Sequence, residues 1–530
     1  MRSAPTPETP EAASAADRLD RAVGEADWAA ARSAVRDGWF DLVTPAHADA
    51  SRTVFARIPT AVLRAEPLLA MEYGILLNQT RYQRLRALRF FVMAVRAARS
   101  DRNDLDPADR LLIRASESAA FRLLGRTGLS VSAARAAMAL AETLSDADRA
   151  AVPELPRIFA VVGVSFFAGD LPNEALHAAE TGIAEATTQT PSDGMGALAL
   201  LCGIPALRGD LPQAAEHLDY ARSGPWTDAQ RDGYSGVLYR VAEAYSAMER
   251  LDSDEALSQL HRLAAMTTGR HANEHWILLA ETLAMAELVA GRPGHGLAAV
   301  DEFVELRGAE GSHRARVRLA RVRALLQLAM GNPDGATAVL RRDRPETRVA
   351  RLEHARIALA LGQTRTALTE LRALGAERLS TRQAAEAAVI DAAVLLRLSP
   401  TPRRAGAVQR LGSLLERSGQ RLALALLPPA DLRRVSAALV EAGFMTVGTD
   451  PVLRPLLPDV EPSGLLSERE LAVLGQLART GSLAEIAASL VVSTNTVKSQ
   501  TRSVYRKLGV SNREDAIAVA SERHLLVIEE

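Results

Sequence analysis

A turn that begins with glycine recurs through the middle of the chain, and its spacing is the strongest constraint on the fold. Five such turns and one degenerate copy are GDLPNEAL from Gly169, GDLPQAAEHL from Gly209, RLDSDEALSQL from Arg250, GRPGHGLAAV from Gly291, GNPDGATAVL from Gly331 and GQTRTALTEL from Gly362. Successive starts are 40, 41, 41, 40 and 31 residues apart. A period of this size is typical of arrays in which each repeat is a pair of helices stacked on the next pair.

The residues within each turn favour a helix–turn–helix repeat. Glycine can end a helix in the left-handed conformation, and in four of the turns a proline two or three residues later can open the next helix. Small residues that would let the second helix approach its neighbour closely follow five or six positions after the glycine: Ala175, Ala215, Gly296, Ala336 and Ala367. The pattern resembles tetratricopeptide repeats, whose period is about 34 residues. We therefore predict an all-α chain built largely of a TPR-like helical-repeat solenoid.

Changes in composition along the chain predict four segments. Residues 1–16 are rich in Pro, Ala, Ser and Thr, which predicts disorder, and helical periodicity occupies residues 17–444. The stretch MTVGTDPVLRPLLPDVEPSG, residues 445–464, contains four prolines, which prevent a continuous helix and predict a linker. Residues 465–530 then form a compact unit.

Several functional classes are disfavoured by composition. The net charge is −1, so any attraction to nucleic acid has to come from a local patch. The longest apolar run, residues 158–169, is shorter than the ~20 residues of a membrane helix, and no signal peptide is present. The single cysteine, Cys202, is predicted to be a buried packing residue. We therefore expect a cytoplasmic protein that does not bind a membrane.

One pair of histidines has the spacing of metal ligands. His271 and His275 are four residues apart in the segment HANEH, but a glutamate directly after the first histidine, as in the H-E-x-x-H pattern, is absent and no third ligand is evident. We interpret them as surface or inter-helix histidines and predict no metal, no cofactor and no enzymatic activity.

The last segment carries dense helix-start signals. Possible capping boxes pair a serine with a carboxylate three residues later: Ser467 with Glu470, Ser482 with Glu485, and Ser511 with Glu514. Ser493 is a further N-cap candidate, and Gly481 and Gly509 are stop signals. These positions predict four short helices, at about residues 468–479, 483–490, 494–508 and 512–522. Only three residues separate the second helix from the third, which predicts a helix–turn–helix.

The third of these helices combines an apolar stripe with a basic outer face. Val497, Thr501, Val504 and Leu508 are spaced to face the core, which leaves a polar and basic set outside: Asn495, Lys498, Ser499, Arg502 and Arg506. The only two lysines of the chain are Lys498 and Lys507, and no acidic residue occurs from Ile486 to Arg513. Such a helix suits the DNA major groove, with amide donors for a phosphate near Thr494 and Thr496. The same face could also be ordinary solvated surface of an arginine-rich protein.

The motifs of this segment resemble the LuxR-type helix–turn–helix domain. They are the opening LSERE, EIAASL in the scaffold helix, STNTVK at the start of the recognition helix, and YRKLGVSNREDA after it. The resemblance implies binding to promoter DNA, usually as a dimer on inverted half-sites. It aligns Lys498, Ser499 and Arg502 with base-reading and groove-facing positions, and Thr494, Thr496 and Arg506 with backbone-contacting ones. Gln500 stands where many members carry histidine.

The upstream region resembles the repeats of MalT-like regulators, which are large ATP-binding members of the LuxR group. The matching segments are ADWAAARSAV and RIPTAVLRAEPLLAMEYGILL, together with the helical repeats. Those regulators carry a P-loop module, whose G-x-x-x-x-G-K-[ST] motif requires a lysine. No lysine precedes Lys498, so this sequence contains no P-loop.

The sequence thus predicts a DNA-binding transcriptional regulator with a helical-repeat sensor or assembly domain. Expected partners are double-stranded promoter DNA and a second copy on the DNA, with a protein or small-molecule effector on the repeats and RNA polymerase as further candidates. An alternative is an interaction scaffold whose terminal helix–turn–helix docks a partner protein. A signal-transducing ATPase is the remaining and least favoured hypothesis.

Overall fold

The computed structural model describes most of the chain. The described residues are 14–44, 46–79, 81–100, 105–186, 191–263, 275–307, 312–345, 347–375, 379–398, 402–460, 466, 468–490, 492–508, 510, 512–522 and 525. Their regular structure is helical and includes no strand, which confirms the all-α prediction. Across these residues, no helix combines the length and apolar character that crossing a bilayer requires.

The helices follow one another with short connections. The first part of the chain contains α1 Ala15–Gly24, α2 Trp28–Asp37, α3 Ala48–Ala56, α4 Thr60–Ala65, α5 Pro67–Asn78, α6 Arg84–Arg99, α7 Pro107–Leu123, α8 Thr127–Thr143, α9 Asp146–Ala150, α10 Leu155–Ala168, α11 Pro172–Glu185, α12 Met195–Arg208, α13 Leu211–Ser223, α14 Asp228–Asp232, α15 Val237–Glu249, α16 Ser253–His261, α17 Trp276–Val289 and α18 Pro293–Arg307. The second part contains α19 Ser312–Ala329, α20 Pro333–Asp343, α21 Thr347–Ala360, α22 Thr364–Leu374, α23 Thr381–Arg397, α24 Pro402–Ser418, α25 Leu422–Ala425, α26 Pro429–Glu441, α27 Met445–Gly448, α28 Glu468–Arg479, α29 Leu483–Leu490, α30 Thr494–Leu508 and α31 Arg513–Glu522.

The chain divides into two compact units. Unit 1 consists of Met1–Ala315, Ser380–Ala384 and Leu415–Leu422, and unit 2 of Arg316–Leu379, Ala385–Leu414 and Ala423–Glu530. In unit 1, consecutive helices pack in pairs: α7 with α8, α10 with α11, α12 with α13, α15 with α16 and α17 with α18. The first helix of each pair also packs on the first helix of the next pair. This is the packing expected of a helical-repeat array.

The turn inside each pair follows a common rule. One residue adopts the left-handed conformation, and the residue five positions later is small and buried against the neighbouring helix. The left-handed residues are Ala26, Gly125, Asp170, Gly209, Leu251, Gly291, Gly331 and Gly362, with φ between 56° and 87°. The corresponding small residues are Ala31, Ser130, Ala175, Ala214, Ala256, Gly296, Ala336 and Ala367. Ala26 and Gly125 extend the rule to pairs that lie before the repeats recognised in the sequence.

This rule corrects one residue of the sequence-based prediction. Ala215 was expected to be the close-packing residue after Gly209, but Ala215 is exposed and Ala214 is buried. The cause is the turn before it: in the GDLP turn at Gly169 the left-handed residue is Asp170, whereas in the GDLP turn at Gly209 it is the glycine itself. Identical letters therefore fold one residue out of phase.

The proline-rich segment is partly docked onto unit 2. After α27 ends at Gly448, the N–H of Leu456 donates to the carbonyl oxygen of Ala425 at 2.8 Å. Leu457 is only 2% exposed and joins a core cluster with residues of α19, α20 and α21. The prolines therefore do prevent a continuous helix, but the segment up to residue 460 has fixed contacts. Its role as a linker, and the segment boundaries at 16, 444 and 464, remain predictions; α1 already begins at Ala15.

Two residues singled out in the sequence are buried in unit 1. Cys202 is fully buried in α12, as predicted, and burial raises the pKa of its thiol. His275 is buried at the start of α17, while His271 lies outside the described residues. Within the described ranges, no cluster of three His, Cys, Asp or Glu side chains could hold a metal ion.

A buried carboxyl in α5 makes unit 1 sensitive to pH. Glu72 is fully buried, and neither of its carboxyl oxygens has a hydrogen-bond partner among the described residues. Burial, reinforced by the charge of Glu154, raises the pKa of Glu72 well above its ordinary value of 4.5. Glu154 is itself buried, and its pKa rises to about 7, although Arg157 contacts it at 3.0 Å and partly opposes the shift. The fold therefore favours the protonated carboxyl of Glu72.

We expect Glu72→Gln to stabilise unit 1 at about pH 8 by about 1.4 kcal/mol or more, which corresponds to one pKa unit. The pKa of Glu72 is higher in the folded than in the unfolded chain, so folding stability falls as pH rises through that interval. At about pH 4 the carboxyl is mostly neutral in both states, and the gain should nearly vanish. Urea unfolding followed by tryptophan fluorescence measures this, with the exposed Glu142→Gln as control. An equal gain at both pH values would contradict the explanation.

Candidate nucleic-acid interface

The last four helices match the lengths that their start and stop signals predict. They are α28 (Glu468–Arg479), α29 (Leu483–Leu490), α30 (Thr494–Leu508) and α31 (Arg513–Glu522). The first three begin and end where they were predicted, and the fourth begins one residue later. The short turn between α29 and α30 confirms the helix–turn–helix.

Two apolar clusters hold α30 against the other helices. Val497 packs with Val473, Leu477, Ile486 and Ala487 of α28 and α29. Further along α30, Val504 and Leu508 pack with residues of α28 and α31: Leu474, Ala516 and Ala520. Val497 and Val504 are fully buried, and Thr501 between them is 9% exposed. The predicted core stripe of α30 is thus confirmed, and it fixes which face of the helix points outward.

The outward face of α30 carries the predicted polar and basic side chains. Thr494, Asn495, Thr496, Lys498, Ser499 and Arg502 are all exposed, while Gln500 is half-buried. The side chain of Arg506 lies outside the part of the chain that the structure describes. Neither Lys498 nor Arg502 forms an ion pair with any described residue.

The first turn of α30 also presents backbone donors. Ser493 caps the helix: its Oγ accepts from the N–H of Thr496 at 3.1 Å, and its carbonyl accepts from the N–H of Val497. The N–H groups of Thr494 and Asn495 have no acceptor among the described residues. A helix N-terminus with open amide groups favours a phosphate.

Four of the predicted residues line one cleft. A concave surface of about 700 Å³ runs along α30, lined by Leu483, Asn495, Lys498, Ser499, Thr501, Arg502, Tyr505 and Val510. No carboxylate lines it. Thr494 and Thr496 lie at the helix N-terminus and are not part of this lining.

The sequence reasoning missed one polar group of this cleft. Thr501 was assigned to the core by its helical spacing, yet its buried hydroxyl has no hydrogen-bond partner among the described residues. A threonine on the border between an apolar stripe and a polar face is the only signal that could have suggested this.

Two other cations of the basic segment serve the fold. The Nζ of Lys507 contacts Glu470 at 2.7 Å, and the Oγ of Ser503 donates to the same carboxylate at 2.7 Å. The Nε of Arg513 donates to the carbonyl oxygen of Leu477 at 2.7 Å. The buried Glu470 therefore ties α28 to α30, a role that differs from the predicted capping box with Ser467, which lies outside the described residues.

The other two predicted capping boxes are also modified. Ser482 accepts from the N–H of Glu485 at 3.4 Å, but the carboxylate of Glu485 accepts from the hydroxyl of Thr480 instead. At the fourth helix the cap is Asn512, which accepts from the N–H of Asp515 at 2.8 Å and explains the later start of α31. Asparagine competes with serine as an N-cap, so adjacent candidates cannot be ranked from letters alone.

We expect Glu470→Gln to destabilise the four-helix domain by about 1.5–3 kcal/mol, the range for hydrogen bonds to charged groups. Glutamine keeps the shape but loses the charge that Lys507 requires. Hydrogen exchange in α30 of the intact chain measures the effect. Glu485→Gln, an exposed carboxylate on α29, is the matched control. Unchanged protection of α30 in Glu470→Gln would show that the tie contributes little.

Comparison with known proteins gives a family for this domain. Residues 464–520 match the family described as bacterial regulatory proteins, luxR family. The chain is 36% identical over 80 residues to an HTH-type transcriptional regulator MalT of Yersinia enterocolitica. It is 45% identical over 62 residues to a probable transcriptional regulatory protein NarL of Mycobacterium tuberculosis.

These matches cover a small share of each protein. The MalT match spans 15% of this chain and 9% of that regulator, and the NarL match spans 12% of this chain and 29% of that protein. The likeness therefore concerns the C-terminal domain, whose four-helix architecture and basic recognition-type helix have been described above. Residues 464–520 form a helix–turn–helix domain of the luxR family of bacterial regulatory proteins.

Proposed function

We propose that this chain is a sequence-specific DNA-binding transcriptional regulator that places α30 in the major groove. The observation that carries the proposal is the outer face of α30, where Lys498 and Arg502 are exposed without ion-pair partners among the described residues. Asn495 and Ser499 lie beside them in a cleft that no carboxylate lines. Membership of the domain in the luxR family supports the same conclusion.

Each group on this face has a chemical role in the proposal. Arginine can donate two hydrogen bonds to guanine O6 and N7, and asparagine can pair with adenine N6 and N7. Arg502 and Asn495 would read bases in this way, with Ser499 as a third groove contact. Lys498 and Arg506 would neutralise phosphates, and the open amides of Thr494 and Asn495 would hold a further phosphate next to the side chain of Thr496.

The proposal includes assembly on DNA. One copy presents a single recognition helix, so two copies on two half-sites are expected, about one helical turn or a multiple of it apart. The repeats of unit 1 would sense a protein or small-molecule effector, and RNA polymerase is the candidate partner at the promoter. The alternative scaffold hypothesis would use the same face to dock a protein.

Salt-dependent binding separates these two functions. Intact protein is titrated into mixed genomic fragments at several salt concentrations, and the bound fragments are sequenced. A DNA reader should lose affinity with a log–log slope of about 0.9 for each phosphate contacted, and should enrich a recurrent sequence. Binding without enrichment, or no binding at low salt, would reject the proposal.

A further inference from the structure

Helix α6 carries a second basic surface, which differs in character from the face of α30. No Asp or Glu occurs between Tyr73 and Ser100, whereas six arginines do. The surface also exposes large apolar side chains: Tyr82 is 97%, Leu85 88%, Leu88 52% and Val92 39% exposed. Contiguous exposed apolar side chains bordered by polar groups are a mark of interaction sites in soluble proteins.

The helical register of α6 separates a buried row from an exposed one. Ala87, Phe90, Ala94 and Ala98 are buried at spacings of three and four residues, which places this row against the body of unit 1. Leu85, Leu88 and Val92 repeat at three and four residues on the outer side, so they form a continuous apolar ridge.

A basic row runs beside this ridge. Arg89 and Arg96 are exposed seven residues apart, two turns along the outer side. Neither has an ion-pair partner among the described residues, unlike Arg99, which pairs with Glu117. Arg86 lies over the ring of Tyr73, with its guanidinium carbon 5.6 Å from the centroid. The outer side of α6 therefore offers two parallel rows, one apolar and one cationic.

From this geometry we infer that α6 docks an acidic amphipathic helix of a partner protein. Such a helix has apolar side chains at spacings of three and four residues, which fit the ridge, and carboxylates beside them, which face Arg89 and Arg96. Charge complementarity fixes the orientation and speeds encounter, and the ridge supplies the apolar burial.

Other occupants fit the two rows less well. A second copy bound through the same face would place its arginines opposite these arginines. The sugar–phosphate backbone of DNA offers no partner for a row of leucines and valine. A bilayer surface favours a helix with a wide apolar face, whereas the apolar ridge here is a single row.

Binding of designed peptides to the intact protein tests the inference. The probe is a labelled helical peptide about five turns long, with leucines in one row and glutamates beside them. One control peptide has lysine in place of every glutamate, and another has serine in place of every leucine. We expect the acidic leucine peptide to bind about tenfold or more tightly than either control, as measured by fluorescence anisotropy.

Variants of α6 then locate the binding site. Leu85→Ser with Leu88→Ser, and separately Arg89→Glu with Arg96→Glu, should each weaken the acidic peptide by about tenfold or more. Because these side chains are exposed, the fold should be retained. Leu124→Ser, which is 70% exposed outside α6, is the matched control and should change nothing. The charge-reversed variant should in turn prefer the lysine peptide.

Several results would overturn the inference. They are equal binding of all three peptides, no binding of any, or loss of binding in Leu124→Ser alone. Binding to vesicles of phosphatidylglycerol and phosphatidylcholine, or to a duplex, that depends on Leu85 and Arg89 would assign α6 to a lipid or nucleic-acid surface. A decrease in molar mass caused by Leu85→Ser would assign it to a second copy. None of these results bears on the DNA-binding face of α30.

Discussion

Replacing Glu386 by alanine should destabilise unit 2 by about 3–5 kcal/mol, the cost of removing one partner from a buried ion pair. The Oε1 of Glu386 contacts Arg321 at 2.7 Å, and its Oε2 contacts Arg356 at 2.7 Å. Glu353 completes the set, at 3.2 Å from Arg321 and 3.0 Å from Arg356. Two arginines and two glutamates thus form a closed, neutral ring across α19, α21 and α23.

The ring is buried, which is why the expected effect is large. The side chains of Arg356 and Glu353 are each 1% exposed, and that of Glu386 is 4% exposed. Without Glu386, the guanidinium of Arg356 keeps Glu353 but loses its second carboxylate in a place that water cannot reach. An unpaired buried charge costs far more than an exposed one.

A second substitution tests this reason. Arg356→Met combined with Glu386→Ala leaves the pair of Arg321 and Glu353 neutral. We therefore expect the double variant to be less destabilised than the sum of the single variants by about 0.5–3 kcal/mol. Additive effects would contradict a charge-based explanation. Glu370→Ala, which removes a half-buried carboxylate 3.8 Å from Arg351, is the control with a small expected effect.

The measurement has to report on unit 2 by itself. All four tryptophans of the chain, Trp28, Trp39, Trp226 and Trp276, belong to unit 1, so fluorescence follows that unit. Hydrogen exchange of the α21 amides in increasing urea follows the ring directly. Exchange of α21 in Glu386→Ala at the wild-type rate would contradict the prediction.

The C-terminal domain was predictable because its signals are local. Serines, glycines and apolar spacing within about 15 residues define each helix, and such short-range rules need no knowledge of the rest of the chain. The same rules failed where two local candidates compete. Asn512 displaced Ser511 as a cap, and Glu470 turned toward Lys507 and Ser503, since a buried carboxylate gains more from two donors on another helix than from one amide.

The repeats were predictable as a pattern but not in phase. The glycine of a GDLP turn suggests the left-handed residue, yet Asp170 adopts it in one turn and Gly209 in the next. The residue that must be small follows the backbone conformation and not the letters. The ion ring of unit 2 was missed for a related reason: Arg321, Glu353 and Glu386 are 32 and 33 residues apart, and no local rule links side chains across repeats.

The docked proline segment shows the same limit. Proline density correctly excludes a helix, but it does not indicate whether the chain is free or held. Leu457 is held because its side chain completes an apolar cluster with Leu328, Leu340 and Ile357. Leucines within a proline-rich stretch are the only sign of this in the sequence.

Combined Lys498→Ala and Arg502→Ala substitutions should abolish most sequence-selective DNA binding by the intact chain. Loss of a base contact by Arg502 would cost about 1–3 kcal/mol and relax selectivity at one position of the half-site. Loss of a phosphate contact by Lys498 would weaken binding to every sequence and lower the log–log salt slope by about one unit. Because two copies are expected on the operator, both losses would occur twice. Competition titrations with operator and scrambled duplexes separate the two contributions.

The control for this prediction is Arg469→Ala, which removes the same charge from an exposed position on α28. If binding depended only on total charge, Arg469→Ala and Lys498→Ala would have equal effects, and Arg502→Ala would not change the preference for the operator. If α30 reads the groove, the Arg469 variant should behave like wild type and the Arg502 variant should lose selectivity. Both side chains of α30 are exposed and without ion pairs among the described residues, so their removal should leave hydrogen exchange of the domain unchanged. Loss of DNA binding with unchanged exchange would then belong to the interface and not to the fold, which is the distinction between a DNA reader and a scaffold that has kept only the helix–turn–helix shape.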